Sequence, residues 1–249
     1  MENQKDPIAS SVKTEKKSIK EYLLEGLMIF IAVMLGFIAE NIRENSSDRA
    51  NEKQYMSSLI KDINDDIINI RDQQKVVDRR LIFLDSLIDM LNDATIPTNT
   101  NDLYYYARLA TKNNVFAANT RTIDQMKNAG GYRVIKNDKV SSEIMSYYSL
   151  MAQIKSLEDT EQSEDNEYRK IAVQIFNAKV FNRINSSSPV IRPENNPPLR
   201  TNDKKLLADL SGWVHYIRNT QNSINAYKNV VREQGEKLIQ LIQKEYHLE

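Results

Sequence analysis

The sequence predicts an all-α protein, with a single transmembrane helix continuing into an elongated antiparallel helical bundle. Three observations predict it. Residues 22–39, YLLEGLMIFIAVMLGFIA, are 18 residues of almost wholly apolar sequence with one charge, Glu25. As a helix they reach about 27 Å, close to the thickness of a bilayer core. Glycine and proline number only 6 each, and four of the prolines (Pro189, Pro193, Pro197, Pro198) fall in one short segment, so long uninterrupted elements are expected. Apolar residues downstream recur in steps of three and four, and no segment alternates with period two for long enough to suggest a strand.

Taken in order, residues 1–21 form a short tail with five lysines (Lys5, Lys13, Lys16, Lys17, Lys20), against Arg43, Arg49 and Lys53 just after the apolar run. Orientation follows Lys and Arg rather than net charge, so the tail is expected in the cytoplasm. A cleaved signal peptide is disfavoured because cleavage after Ala39 would put Phe37 where a small residue is wanted. Residues 40–249 are therefore expected to be periplasmic, behind an uncleaved anchor in a bacterial inner membrane.

From 40 to 91 the pattern is one long helix. Its stripe reads Met56, Leu59, Ile63, Ile67, Ile70, Val77, Leu81, Leu84, Ile88, Leu91, with Gln74 at one position and a stutter at Leu59–Ile63–Ile67. Unbroken from the apolar run, it would make a rod of roughly 100 Å. Residues 92–101 are a turn, 102–112 a short helix, and Thr120 or Thr122 caps another that stops at Gly130-Gly131. Asn137 or Asp138 caps a long helix to about residue 184, striped by Val140, Ile144, Tyr147, Met151 and Ile154. Residues 185–201 are a loop rich in Pro and Ser, and a last long helix follows to about Tyr246, with Gln221 in its stripe.

Composition excludes several classes of function. Lys+Arg and Asp+Glu are both 34, so no net field attracts nucleic acid. There is no Cys, which removes disulfides, thiolate metal sites and Cys nucleophiles. No Gly-rich phosphate loop, HExxH or GxSxG occurs, and neither a catalytic site nor a cofactor is expected.

The motif after the apolar run, Glu40-Asn41-Ile42-Arg43-Glu44, together with Tyr55, Leu59, Ile60, Asp62 and Asp66, resembles an uncharacterised family of single-pass Gram-negative envelope proteins, a domain of unknown function. A second matching segment comprises Lys127, Gly130 or Gly131, Arg133, Ile135, Lys136, Asn137 and the pair Tyr147-Tyr148. The resemblance covers about the first 150 residues, and Ile42 stands where the family has an aromatic. It implies a layout of short tail, one span and a helical periplasmic domain, and no activity.

Each candidate site has a bland reading beside it. Glu25 is a candidate intramembrane acid, since an ionised carboxylate is costly there, yet it sits about one turn inside the span, within reach of the interface or of Lys20. Gly26, Ala32 and Gly36 form a small surface that allows close helix packing in the membrane. The acidic run 158–167 offers six carboxylates to a divalent cation but lacks a Gly-turned loop, so a solvated helix face or a kink is favoured. His215 and His247 lack convergent partners. Tyr104, Tyr105, Tyr106, Tyr147 and Tyr148 either line a ligand pocket or, more simply, fill core with wet hydroxyls.

The expected function is that of a non-enzymatic, membrane-anchored interaction or scaffold subunit of an inner-membrane or envelope complex. Its partners are the lipid bilayer and another envelope protein or itself. One alternative is a periplasmic sensor bundle relaying ligand binding to a membrane partner. A second is an ion-coupled motor accessory using Glu25.

Overall fold

The computed structural model describes residues 18–93, 99–113, 115–185 and 189–248, so most of the expected tail lies outside the described residues. Among the described residues the regular elements are helices and no strand occurs: α1 (Ile19–Asn92), α2 (Thr100–Leu109), α3 (Arg121–Asn128), a 3-10 turn (Gly131–Val134), α4 (Asp138–Ile175), α5 (Ala178–Ile184) and α6 (Lys204–Tyr246). The chain separates into two compact units, Met1–Asn51 and Glu52–Glu249. Residues 40–51 thus group with the apolar run rather than with the downstream helices.

The described part of the first unit is the opening of α1 alone. Its large apolar side chains from Tyr22 to Ile42 are all exposed. α1 holds the one 18-residue window among the described residues that is apolar enough to cross a membrane, with mean hydropathy 2.2 and none of it buried.

In the second unit the helices begin where side chains can accept their first free N–H groups. Asn99 accepts from the N–H of Asp102, Asn137 from Lys139 and Val140, Asn177 from Lys179, and Asp203 from Lys205 and Leu206. α3 follows Thr120 and closes before Gly130, whose φ of +125° is a conformation only glycine adopts freely.

The apolar interior forms two clusters. One gathers Met56, Ile63, Phe116, Ile144, Tyr147 and Val231; the other gathers Leu84, Leu103, Tyr104, Phe176, Leu210 and Val214. α1 meets α6 through Arg71–Glu236, Arg218–Asp85 and Asn92–Ser211, and α4 meets α6 through Gln234–Glu143 and Thr220–Glu164. In both sets the α6 number falls as the other rises.

Two expectations change. The helix expected to reach residue 184 stops at Ile175, and α5 is separate. Phe176 leaves helical geometry (φ −96°, ψ 143°) so that its ring, 1 % exposed, joins Tyr104 and Phe181 in an aromatic cluster. Arg200 takes up the freed carbonyls, its N–H donating to Ile175 O at 2.8 Å and its guanidinium to Val173 O.

The register of α1 also differs. Arg80 and Leu87 are buried where Leu81 and Ile88 were expected to be, and Asp66 is buried beside Ile67. From Glu52 the positions 52, 56, 59, 63, 66, 70, 73, 77, 80, 84, 87 and 91 follow a four–three alternation, all buried except the half-buried Gln73, and Asp62 and Ile67 are buried beside it. The hydrophobic pattern shifted the reading by one because Asp66, Gln73 and Arg80 occupy inward positions.

Gly235 of α6 and Gly212 separate packing from helix propensity. A Cβ on Gly235 would lie 3.0 Å from Ile63 Cγ2 and 3.2 Å from Tyr147 Cε2, whereas one on Gly212 meets nothing within 4 Å. Overpacking costs about 1–3 kcal/mol and replacing a helical Gly with Ala gains about 1 kcal/mol. Gly235→Ala should therefore destabilise by about 1–2 kcal/mol and Gly212→Ala stabilise by about 0.5–1 kcal/mol in denaturation followed by circular dichroism. Equal effects of one sign would contradict this packing.

Candidate functional site

Between the two apolar clusters, α1, α4 and α6 each turn polar residues inward. Arg80 is 6 % exposed, and Glu161 and Gln221 are 2 % and 5 %. The Arg80 guanidinium donates to Glu161 Oε1 at 2.6 Å, to Gln221 Oε1, and to the carbonyl of Ala110, just past α2, at 2.8 Å. Asn113 donates to the other Glu161 oxygen at 3.3 Å. Lys228 of α6, 2 % exposed, donates to Gln73 of α1 at 3.1 Å and lies 5.4 Å from the centre of the Phe116 ring.

This layer corrects the reading of 158–167 as a solvated face. Glu158, Glu161 and Asp165 are buried, while Asp159, Gln162, Ser163 and Asn166 are exposed. Steps of three and four place the first three on one side of the helix. The acidic run is thus amphipathic in position though not in composition. Among the described residues, no group of three or more His, Asp or Glu side chains is arranged to hold a metal ion.

A second feature is the connection from α2 to α4, in which short irregular segments flank α3 and the 3-10 turn. Buried or half-buried carboxylates from the long helices supply acceptors there. The N–H of Phe116 donates to Glu158 at 2.8 Å, that of Asn119 to Asp66 at 2.9 Å, that of Thr122 to Asp62 at 2.9 Å and that of Lys136 to Glu52 at 2.6 Å. Side chains complete the set: Tyr147 OH donates to Asp66, Arg121 to Asp62 and Tyr246 OH to Glu52. Buried acceptors thereby meet amides that would otherwise be unpaired.

Burial sets the ionisation of these groups. It pushes the Asp66 carboxyl up to about 6, against the lowering effect of the Asn119 N–H and the Tyr147 hydroxyl, with Asp62 and Asp65 adding repulsion. It does the same to Asp165, also to about 6, with Glu161 adding repulsion and Arg80 and Arg169 opposing it. Both Asp165 oxygens lack a hydrogen-bond donor, and its ion pair with Arg169 is long at 3.5 Å. Burial lowers Lys228, with Glu158 and Glu161 opposing, and raises Glu158, Glu164, Tyr147, Tyr148 and Tyr168.

The residues singled out by sequence fall in different places. Tyr104 and Tyr147 are fully buried with engaged hydroxyls; Tyr104 OH donates to Pro198 O and accepts from the N–H of Asn177. Tyr105 meets Phe83 edge-on and Tyr106 meets it at a tilt, and Arg192 lies 4.3 Å over the Tyr105 ring. His215 is exposed beside Asn219, and His247 ends α6. In the first unit Glu25 is half-exposed, Ala32 is exposed, and Gly26 and Gly36 have open space around them. Glu40 pairs with Arg43, Asn41 with Asn45, and Glu44 is exposed. The sequence reading missed Arg80, Lys228 and Glu52, and named Asp66 only as part of the family resemblance without its buried place. The available signal was a run of charges at inward spacing on a helix otherwise apolar at those positions.

No family model, curated protein or solved structure matches the chain.

Two measurements test the polar interior. Arg80→Ala leaves Glu161 buried without its cation and should cost about 3–5 kcal/mol, whereas Arg80→Met with Glu161→Leu should cost much less. Equal losses in chemical denaturation would show that the pairing is not what matters. For Asp165 the folded-state value lies above the ordinary 3.8, so its contribution to stability is full below that value and is lost as pH rises through about 6. Asp165→Asn should therefore be more stable than the parent by about 1–2 kcal/mol above pH 6, the gap closing towards pH 4. A gap independent of pH would refute the assignment.

Proposed function

We propose that the chain is a non-enzymatic, membrane-anchored scaffold subunit of a bacterial inner-membrane or envelope complex. Residues 22–39 span the inner membrane with the N-terminus in the cytoplasm. Glu52–Glu249 forms an elongated antiparallel bundle on the periplasmic side. The layout is that of the Gram-negative envelope family which the sequence resembles.

The carrying observation is the bare apolar helix. Fourteen large apolar side chains from Tyr22 to Ile42 are exposed. At about 1.5 kcal/mol each, leaving them in water forgoes roughly 20 kcal/mol, more than the stability of a typical domain. Lipid removes that cost. The lysines of residues 1–21 support the orientation. The reading as non-enzymatic rests on how the interior polar groups are used. The carboxylates of Glu52, Asp62, Asp66 and Glu158 hold backbone amides, and Arg80 holds three acceptors in place.

Alkaline washing of membranes is the direct check. The chain should stay in the pellet and leave it only with detergent, and alkaline phosphatase fused after residue 249 should be active. Recovery in the wash, or a fusion active only as a cytosolic reporter, would refute the anchor or its direction.

A further inference from the structure

Asn119, in the connection from α2 to α4, has every polar group engaged. Its N–H donates to Asp66 Oδ1 at 2.9 Å, and its carbonyl accepts from the Tyr148 hydroxyl at 3.3 Å. Its Nδ2 donates to Asp65 at 3.5 Å, and its Oδ1 accepts from Arg121 at 3.1 Å. Asp66 itself is 2 % exposed, and its Oδ2 accepts from the Tyr147 hydroxyl at 3.2 Å.

The groups facing Asp66 leave its charge poorly balanced. On α1, Asp62 and Asp65 add repulsion from within about one turn. Arg121 of the connection is engaged with Asp62 at 2.8 Å and with Asp65 at 3.8 Å, and it is largely exposed. Among the described residues no ion pair reaches Asp66. α4 brings the hydroxyls of Tyr147 and Tyr148, and α3 and the 3-10 turn set Asp124 and Tyr132 near Tyr148. α6 meets this level through Gly235, close to Ile63, Ile67 and Tyr147, while its Glu236 is held by Arg71 and its Lys228 by Gln73.

A carboxylate accepts from two donors more strongly than a neutral acid does. Burial and the neighbouring carboxylates outweigh that gain here, and the carboxyl sits at about 6 rather than 3.8. Neither donor answers a change in pH near neutrality, because one is a backbone amide and burial raises the Tyr147 hydroxyl above its ordinary value. A proton on Asp66 breaks neither contact. Oδ1 still accepts from Asn119, and the protonated Oδ2 donates to the Tyr147 oxygen.

We propose that this cluster is a proton-operated clasp, in which a proton taken up by Asp66 tightens the α2–α4 connection onto α1 and loss of that proton loosens it. Lifting Asn119 away returns Asp66 to water and its carboxyl to the ordinary value. A segment held by a few hydrogen bonds can lift in this way without global unfolding. Proton uptake therefore favours the closed arrangement. That advantage is full below about 3.8 and is lost as pH rises through about 6. Between pH 5 and pH 7.5 it is roughly ten-fold in the equilibrium between closed and lifted arrangements.

Amide hydrogen exchange at Asn119, corrected for the intrinsic rate at each pH, reads the clasp in the full chain in detergent micelles. Protection should be roughly ten-fold greater at pH 5 than at pH 7.5 and should level off above about 6. Asp66→Asn keeps an acceptor for Asn119 but cannot ionise, so the dependence should vanish. Tyr147→Phe keeps the ring in the core and removes a donor that favours the charged form, so the break should move to higher pH. The amide of Ile224, in the middle of α6, reports unfolding of the whole unit. Equal protection at the two pH values, a dependence that persists in Asp66→Asn, or a break that stays or falls in Tyr147→Phe would each overturn the clasp. So would an Asn119 profile that only follows that of Ile224.

Discussion

A buried guanidinium constrains the second unit more tightly than any apolar contact. Hydrophobic burial is non-directional, and two clusters of Leu, Ile, Val and aromatic rings would tolerate several offsets between long helices. Arg80 does not. Its donors reach Glu161 of α4, Gln221 of α6 and the carbonyl after α2 together. Displacing any one helix by a turn, about 5.4 Å, would leave a charge buried without its partner, at a cost of several kcal/mol. The layer therefore acts as a register pin. Its own net contribution to stability is small, because desolvation of both ions offsets their attraction.

The carboxylates on either side of the pin do a related task with a different cost. Asp66, Asp62, Glu52 and Glu158 anchor the connection from α2 to α4, and burial makes part of that set reluctant to ionise. Asp66 keeps two donors, the Asn119 amide and the Tyr147 hydroxyl, which offset some of the desolvation. Asp165 has no such donors and relies on Arg80 and on the long ion pair with Arg169. Near neutrality the fold thus carries unfavourable electrostatics in its interior, balanced by the clusters above and below.

Much of the helical layout was legible because it is local. Apolar spacing, the cap at Asn137 and the stop at Gly130 each depend on residues within one or two turns. The polar interior was not, because its partners are distant in sequence. Nothing around Arg80 announces an acceptor 81 or 141 residues away. Hydrophobic patterning even misdirects there. It selects Leu81 and Ile88 over Arg80 and Leu87, since it counts a charge as outward by default. The acidic run 158–167 failed for the same reason. The end of α4 is another case, since Phe176 leaves the helix for rings contributed by α2 and α5.

Residues 111–137 owe their order to acceptors lying 42, 53, 60 and 84 positions away along the chain. Three of those acceptors, on α1, leave the ribosome before this stretch does, and the fourth, Glu158, leaves after it. The Asn119, Thr122 and Lys136 amides find their acceptors already made, whereas water is released from Phe116 only when Glu158 arrives. The stretch is therefore tied to α1 first and to α4 only afterwards.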